Sequence, residues 1–187
     1  MLNLLKSAGV EMKNATRLAV CGIVTALSVV LLFLGGIAFF LAYAMPMIVG
    51  LFMVMLKSTF GTSSAWITYA ATSALSFILV ADKECMLMYV MFFGFYPIIQ
   101  DSINKIRMAP VRYLIKFLMF NVLLFLVQLI LVYVFGIPFL AEGEGKWVIV
   151  LFAVLMNVLF VFYDIILVNL SKIYKLKIEN RIKRYFK

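Results

Sequence analysis

Histidine is absent from the 187 residues, and cysteine occurs only twice. Without histidine, Ser–His and Cys–His catalytic pairs are excluded, and without a cysteine cluster zinc and haem lack a set of ligands. Cys21 and Cys85 fall in separate apolar segments, predicted near opposite membrane faces, so we expect no disulfide between them. We therefore expect no metal or other cofactor and no enzymatic activity.

Charged residues are also scarce: they make up 13% of the chain, whereas 66% is hydrophobic and the mean hydropathy is +1.14. A soluble domain is roughly 45–50% apolar, so this chain needs lipid as part of its solvent. The apolar runs at 114–137 and 147–170 are continuous rather than alternating, and backbone groups in hydrocarbon must pair internally. The expected fold is an all-α, polytopic transmembrane helical bundle that forms one domain over residues 1–187.

A helical span needs about 20 apolar residues. Six segments meet this requirement, with a cytoplasmic N-terminal segment at 1–16 before them and a basic cytoplasmic tail at 171–187 after them. The predicted spans are 18–34, 37–56, 60–81, 85–103, 113–137 and 146–170.

Hydropathy does not decide between five and six spans, because the first two share one apolar stretch that only the pair Gly35-Gly36 interrupts. Basic residues collect in short cytoplasmic loops. Six spans with both termini inside place 15 Lys and Arg residues on the cytoplasmic side and only Lys83 and Lys146 outside. The charge distribution thus favours six spans, N-in and C-in, in the cell (inner) membrane. It also accounts for the net charge of +9 without nucleic-acid binding.

The first span opens with small residues, Ala15, Ala19, Gly22 and Ala26, at spacings that place them on one helical face. Such faces let helices approach closely. Packing within the chain and docking onto another membrane subunit both account for the pattern.

The third span carries a hydroxyl stripe, Ser64, Thr68, Thr72 and Ser76, at strict four-residue spacing. One interpretation is hydrogen bonding to carbonyls of the preceding turn, together with tight packing. The other is one wall of a polar cavity.

Two aspartates, Asp101 and Asp164, lie in or beside the fourth and sixth spans. Both are predicted near the cytoplasmic interface, so we expect each to pair with a Lys or Arg rather than to form a proton relay. Asn121, Gln128 and Asn157 are the polar residues deeper in the last two spans. They either hydrogen-bond to each other or line a pocket that opens outward.

Aromatic residues in the predicted outer half suit either an interfacial belt or an aromatic-walled ligand site. In the fourth span, Gly94 and Pro97 predict a loosened or kinked helix. The outer aromatic residues are Tyr43, Tyr89, Tyr133 and Trp147.

This layout resembles the substrate-binding S components of energy-coupling-factor (ECF) transporters. The segment ATRLAV at 15–20 is similar to the alanine-spaced face by which such subunits contact their coupling protein. The stretch MPMIVG at 45–50, followed by Phe60-Gly61-Thr62 and a small-residue helix, is similar to their second-to-third-span region.

The resemblance implies uptake of a vitamin-like small molecule that binds between the outer halves of the later spans, beneath an extracellular loop. Cytoplasmic ATPases, acting through the transmembrane coupling subunit, would tilt the subunit, because this chain has no P-loop of its own. The candidate partner contacts are Ala15, Ala19 and Ala26. The candidate substrate contacts are Tyr89, Gln128, Tyr133, Trp147 and Asn157.

A second hypothesis is a non-transporting membrane scaffold of the MreD type, which has a similar architecture. It predicts a stable lateral or cytoplasmic partner and no small-molecule pocket. An integral membrane enzyme is the weakest alternative, because the sequence contains no visible acid–base constellation.

Overall fold

A computed structural model describes residues 2–37, 41–137 and 147–174 of the chain, with side chains from residue 14 onward. Within these ranges the chain is helical and forms no strand, which confirms the all-α prediction. The predicted loop and tail at 138–146 and 175–187 lie outside the described residues. The elements are α1 (Leu2–Gly35), α2 (Leu41–Phe60), α3 (Thr62–Leu79), α4 (Lys83–Met88), a π-helical turn (Tyr89–Phe93), α5 (Tyr96–Asn104), α6 (Ala109–Tyr133) and α7 (Trp147–Ile173).

The first helix ends at Gly35, so the first apolar stretch forms two helices rather than one long one. A Cβ at Gly35 would lie 2.6 Å from Cys85 Sγ and 3.3 Å from the Leu41 carbonyl oxygen. Only glycine therefore fits where α1 meets the start of α2 and α4. With 34 residues, α1 is about 51 Å long and exceeds the roughly 30 Å hydrocarbon thickness.

In the part of the chain that the structure describes, five helices are long and apolar enough to cross a membrane, and we conclude that the chain is a multi-pass membrane protein. The α3 helix is not among them, because seven Ser and Thr residues among its 18 lower its hydropathy. The prediction of six spans therefore stays a prediction. The five candidates are Asn14–Gly35, Leu41–Phe60, Lys83–Asn104, Ala109–Tyr133 and Trp147–Ile173.

The predicted span boundaries shift at several ends. The second span continues past Lys57 to Phe60, and the fifth begins at Ala109 and ends at Tyr133 rather than at Ile137. Lys57 is tolerated inside α2 because its ammonium group reaches the carboxylate of Asp101. A long side chain can thus carry its charge to a partner while its backbone stays helical.

Among the candidate spans in the described residues, Lys83–Asn104 is the most buried and Trp147–Ile173 the least, so Lys83–Asn104 lies at the centre of the bundle. Its helix is interrupted by the π-helical turn Tyr89–Phe93, next to Gly94 as the sequence predicts. A Cβ at Gly50 would lie 2.4 Å from the Phe93 carbonyl oxygen, so α2 crosses this turn at close range.

Aromatic rings fill the core around that turn. Phe92 stacks on Tyr96 at 4.8 Å between ring centroids and meets the Phe120 ring edge-on at 4.9 Å. Phe120 in turn stacks on Phe160 at 4.7 Å, which joins the central span to α6 and α7. Large flat rings thereby fix the positions of helices that lipid alone would not hold together.

The two ends of the bundle differ in charge. At one end, which we name the acidic end, α1 and α3 finish and α2 and α4 begin around Asp82 and Glu84. At the opposite end, the basic end, Lys57, Asp101 and Lys105 line a polar cleft.

Candidate functional site

Two predicted substrate contacts lie on the outside of the bundle. Tyr133, at the end of α6, is 82% exposed, and Trp147, at the start of α7, is 84% exposed. Neither shares a hydrogen bond or ring contact with another predicted substrate contact in the part of the chain that the structure describes. Their positions at helix ends are those of an aromatic belt.

The other three predicted contacts lie inside. Asn157 exchanges two hydrogen bonds with Asn121, at 2.9 and 3.0 Å, and so ties α7 to α6 as one of the two interpretations predicted. Gln128 is half-buried, and its Nε2 has no partner among the described residues. Tyr89 is completely buried, and its hydroxyl also has no hydrogen bond within 2–37, 41–137 and 147–174.

The hydroxyl stripe on α3 is buried along its whole length. Ser64 donates to the Phe60 carbonyl at 3.1 Å, which is the predicted hydrogen bond to the preceding turn. Thr68 and Thr72 make no hydrogen bond within the described ranges, and Thr72 lies beside Tyr89. Ser64 and Ser76 thus pair with carbonyls of their own helix or the residues just before it, and the other two hydroxyls lie in the packed interior.

A polar cluster at the acidic end brings together helices that are distant in sequence. The Tyr43 hydroxyl on α2 donates a hydrogen bond to a carboxylate oxygen of Glu84 on α4. Gln128 on α6 lies beside the same carboxylate. The Phe152 ring on α7 packs edge-on against the Tyr43 ring, at 6.0 Å between centroids. We name Tyr43, Glu84, Gln128 and Phe152 the Glu84 cluster.

Two charged neighbours of the Glu84 cluster have other partners. Asp82 caps α4, because its Oδ1 accepts hydrogen bonds from the backbone N–H groups of Glu84 at 2.9 Å and Cys85 at 3.1 Å. The Lys83 ammonium group donates to the carbonyls of Val80 at 3.1 Å and Phe77 at 3.5 Å. Glu84 itself forms no salt bridge with any residue that the structure describes.

A second polar cluster surrounds Asp164, deeper in the bundle. Lys116 Nζ lies 2.9 and 2.8 Å from the two carboxylate oxygens of Asp164, and both side chains are buried. Gln100 Nε2 donates to the same carboxylate at 2.7 Å, and the Tyr96 hydroxyl also donates to it. We name these four residues the Asp164 cluster. The predicted pairing of Asp164 with a basic residue is confirmed, and its partner Lys116 is buried in the bundle together with it.

Asp101 also pairs with a basic residue as predicted. Its Oδ2 lies 3.0 Å from Lys57 Nζ, which additionally donates to the Ile98 carbonyl at 2.7 Å. This pair is more exposed than that of Asp164 and joins α2 to α5 at the basic end.

The small-residue face of α1 points away from the bundle. Ala15, Ala19, Gly22 and Ala26 are all exposed. An added Cβ at Gly22 would meet no atom within 4 Å. The helix packs through a different face, formed by Cys21, Thr25, Ser28, Val29 and Leu32.

Comparisons with protein-family models, with curated proteins and with solved structures find no match for this chain. The functional argument therefore rests on the residues and their geometry.

Sequence reasoning missed Glu84 as a site residue, and it named Tyr43 only among the outer aromatic residues that suit either a belt or a ligand site. Glu84 reads as part of a charged loop, but Asp82 begins the helix and so places Glu84 in its first turn. Glu84 then lies one helical turn before Met88, which is 1% exposed. That four-residue spacing is the signal that would have directed Glu84 toward the interior.

Proposed function

We propose that the chain is the substrate-binding S component of an ECF-type uptake transporter. The observation that carries the proposal is the exposure of the small-residue face of α1, which the described helices leave uncovered. In a bilayer such a face favours close contact with another helix, since Gly and Ala let the two backbones approach. The proposed partner is a transmembrane coupling subunit, with Ala15, Ala19 and Ala26 as contacts.

The orientation in this proposal follows from charge. Six spans, with α3 as the third, place the basic end and both termini in the cytoplasm and the acidic end outside, in the cell membrane. The α3 helix has 18 residues, so it is about 27 Å long, close to the hydrocarbon thickness. Its hydroxyl stripe is buried, so lipid would meet mainly its apolar faces.

The Glu84 cluster supports a substrate site at the outward end. It lies where α2, α4, α6 and α7 meet, so movement of these helices would change its geometry. Its polar groups are few and sit among apolar and aromatic side chains, which is the usual make-up of a small-molecule site. Of the five predicted substrate contacts, Gln128 lies in this cluster.

Transport in this proposal needs an external source of energy. The chain carries no P-loop, so cytoplasmic ATPases would act through the coupling subunit and tilt the S component within the membrane. The exposed face of α1 is the surface through which that force would be applied.

Co-purification tests the proposal. A tagged full chain, isolated from native membranes in mild detergent, should retain a coupling subunit and its ATPases. Ala19→Leu should reduce their recovery at least tenfold, because the larger side chain holds the partner helix away. Ala74→Leu is the matched control: it makes the same change at an exposed position on α3 and should leave recovery unchanged.

Two results would contradict the proposal. Equal recovery with Ala19→Leu and Ala74→Leu would show that the α1 face does not dock the partner. Recovery of a stable partner without any ATPase would favour the scaffold hypothesis instead. Thermal unfolding of both variants as isolated subunits should match the unsubstituted chain, which separates loss of docking from loss of folding.

A further inference from the structure

We propose that the Glu84 cluster binds the positively charged nitrogen of an organic cation. Glu84 is the charged acceptor, Tyr43 and Phe152 provide the aromatic wall, and Gln128 provides a further polar contact. That this cation is the transported substrate rests on the proposed function, whereas the binding site itself rests on geometry alone.

The charge of the cluster is not balanced within the described residues. Glu84 is half-buried and accepts a hydrogen bond from Tyr43, but no salt bridge reaches it from 2–37, 41–137 or 147–174. A carboxylate removed from water is costly unless it is paired with a cation. A bound cation would provide that pairing, and the free energy gained would favour binding.

The neighbouring charged groups narrow the chemical class of ligand. The Lys83 ammonium group is held at the carbonyls of Val80 and Phe77, and does not neutralise Glu84. Asp82 lies next to the cluster and adds a second negative charge. An anionic ligand would meet two carboxylates, so electrostatics disfavour it and favour a cation.

The aromatic rings favour an organic cation over a simple metal ion. Tyr43 and Phe152 meet edge to face beside the carboxylate, and aromatic faces attract ammonium groups when water is excluded. The Gln128 side chain lies beside the Glu84 carboxylate, so its amide can contact a ligand that binds there. These features suit an amine or amidine attached to a small apolar or aromatic body.

Benzylammonium chloride is the test probe, with benzyl alcohol as the neutral analogue and sodium benzoate as the anionic one. The purified full chain in detergent is titrated with each at matched ionic strength, and thermal unfolding is followed. Benzylammonium alone should raise the unfolding temperature. Glu84→Gln should weaken its apparent affinity on the order of tenfold or more, since it removes a charge pair. Asp101→Asn, the same charge change at the basic end, should not.

Three results would overturn the inference: equal shifts with benzylammonium and benzyl alcohol, a shift retained in Glu84→Gln, or no shift with benzylammonium. If Glu84→Gln fails to fold, the probe comparison on the unsubstituted chain still decides, because the two probes share their ring and differ in charge. Co-purification separates the two proposals. Recovery of the coupling subunit and ATPases without cation selectivity would retain the proposed function and reject this inference. Cation selectivity without recovery of these partners would retain this inference and reject the proposed function.

Discussion

Glu84 and Asp164 are both carboxylates within candidate membrane spans, but their surroundings differ. Asp164 is buried and meets Lys116, Gln100 and Tyr96. Glu84 is half-buried at the acidic end and accepts a hydrogen bond from Tyr43, and no salt bridge reaches it from the described residues.

The comparison teaches which carboxylate holds the bundle together and which is open to a ligand. A buried polar network with every member satisfied makes the structure rigid, because each donor restricts the others. An ionisable group within a span but without a countercharge is a candidate functional group. By this reasoning the Asp164 cluster positions α5, α6 and α7, and the Glu84 cluster has capacity for a further partner.

The largest expected effect is that of removing the cation from Asp164. Lys116→Ala should lower the free energy of unfolding by about 3–5 kcal/mol, because a buried carboxylate then loses its countercharge. Denaturant titration of the purified chain in detergent measures the loss. Lys57→Ala is the control, with about 1 kcal/mol or less expected, because its ion pair is more exposed. Equal losses of unfolding free energy for Lys116→Ala and Lys57→Ala would show that burial does not separate the two ion pairs in strength.

Two tyrosines give a matched pair of intermediate effect, because each hydroxyl donates to one of the two carboxylates. Tyr96→Phe should lower the free energy of unfolding by about 1.5–3 kcal/mol, the usual worth of a hydrogen bond to a charged group. Tyr43→Phe should cost about 1 kcal/mol, since half-buried Glu84 can regain a hydrogen bond from water. The same denaturant titration compares the two variants. A larger loss of unfolding free energy for Tyr43→Phe would indicate that the Glu84 cluster, not the Asp164 cluster, holds the bundle together.

The smallest effect is expected at Glu84. Glu84→Gln should lower the free energy of unfolding of the ligand-free chain by no more than about 0.5 kcal/mol, because it removes a half-buried charge that has no countercharge in the described structure. Asp164→Asn should be clearly destabilising, since it leaves Lys116 without its partner. If Glu84→Gln costs as much as Asp164→Asn, Glu84 has a structural role and the contrast between the two clusters fails.

Much of the helical framework could be predicted from local sequence. Continuous apolar runs predict the spans, Gly35-Gly36 predicts the break after α1, and Gly94 with Pro97 predicts the irregular fourth span. The candidate site was less predictable, since of the five predicted substrate contacts only Gln128 lies in the Glu84 cluster. Tyr43 and Glu84 are 41 residues apart, so their hydrogen bond follows from helix packing rather than from any local pattern.

The sequence by itself determined that this chain is a multi-pass helical membrane protein. Its composition and long apolar runs require lipid as solvent, and in lipid the backbone groups of continuous apolar runs pair within helices. The sequence also predicted that Asp101 and Asp164 would pair with basic residues. Only the tertiary structure decided which lysine meets Asp164, that Glu84 meets Tyr43, and that the small-residue face of α1 is exposed among the described helices. The physical reason is that hydropathy and helical spacing describe one helix at a time, whereas pairing depends on how helices rotate and pack against one another.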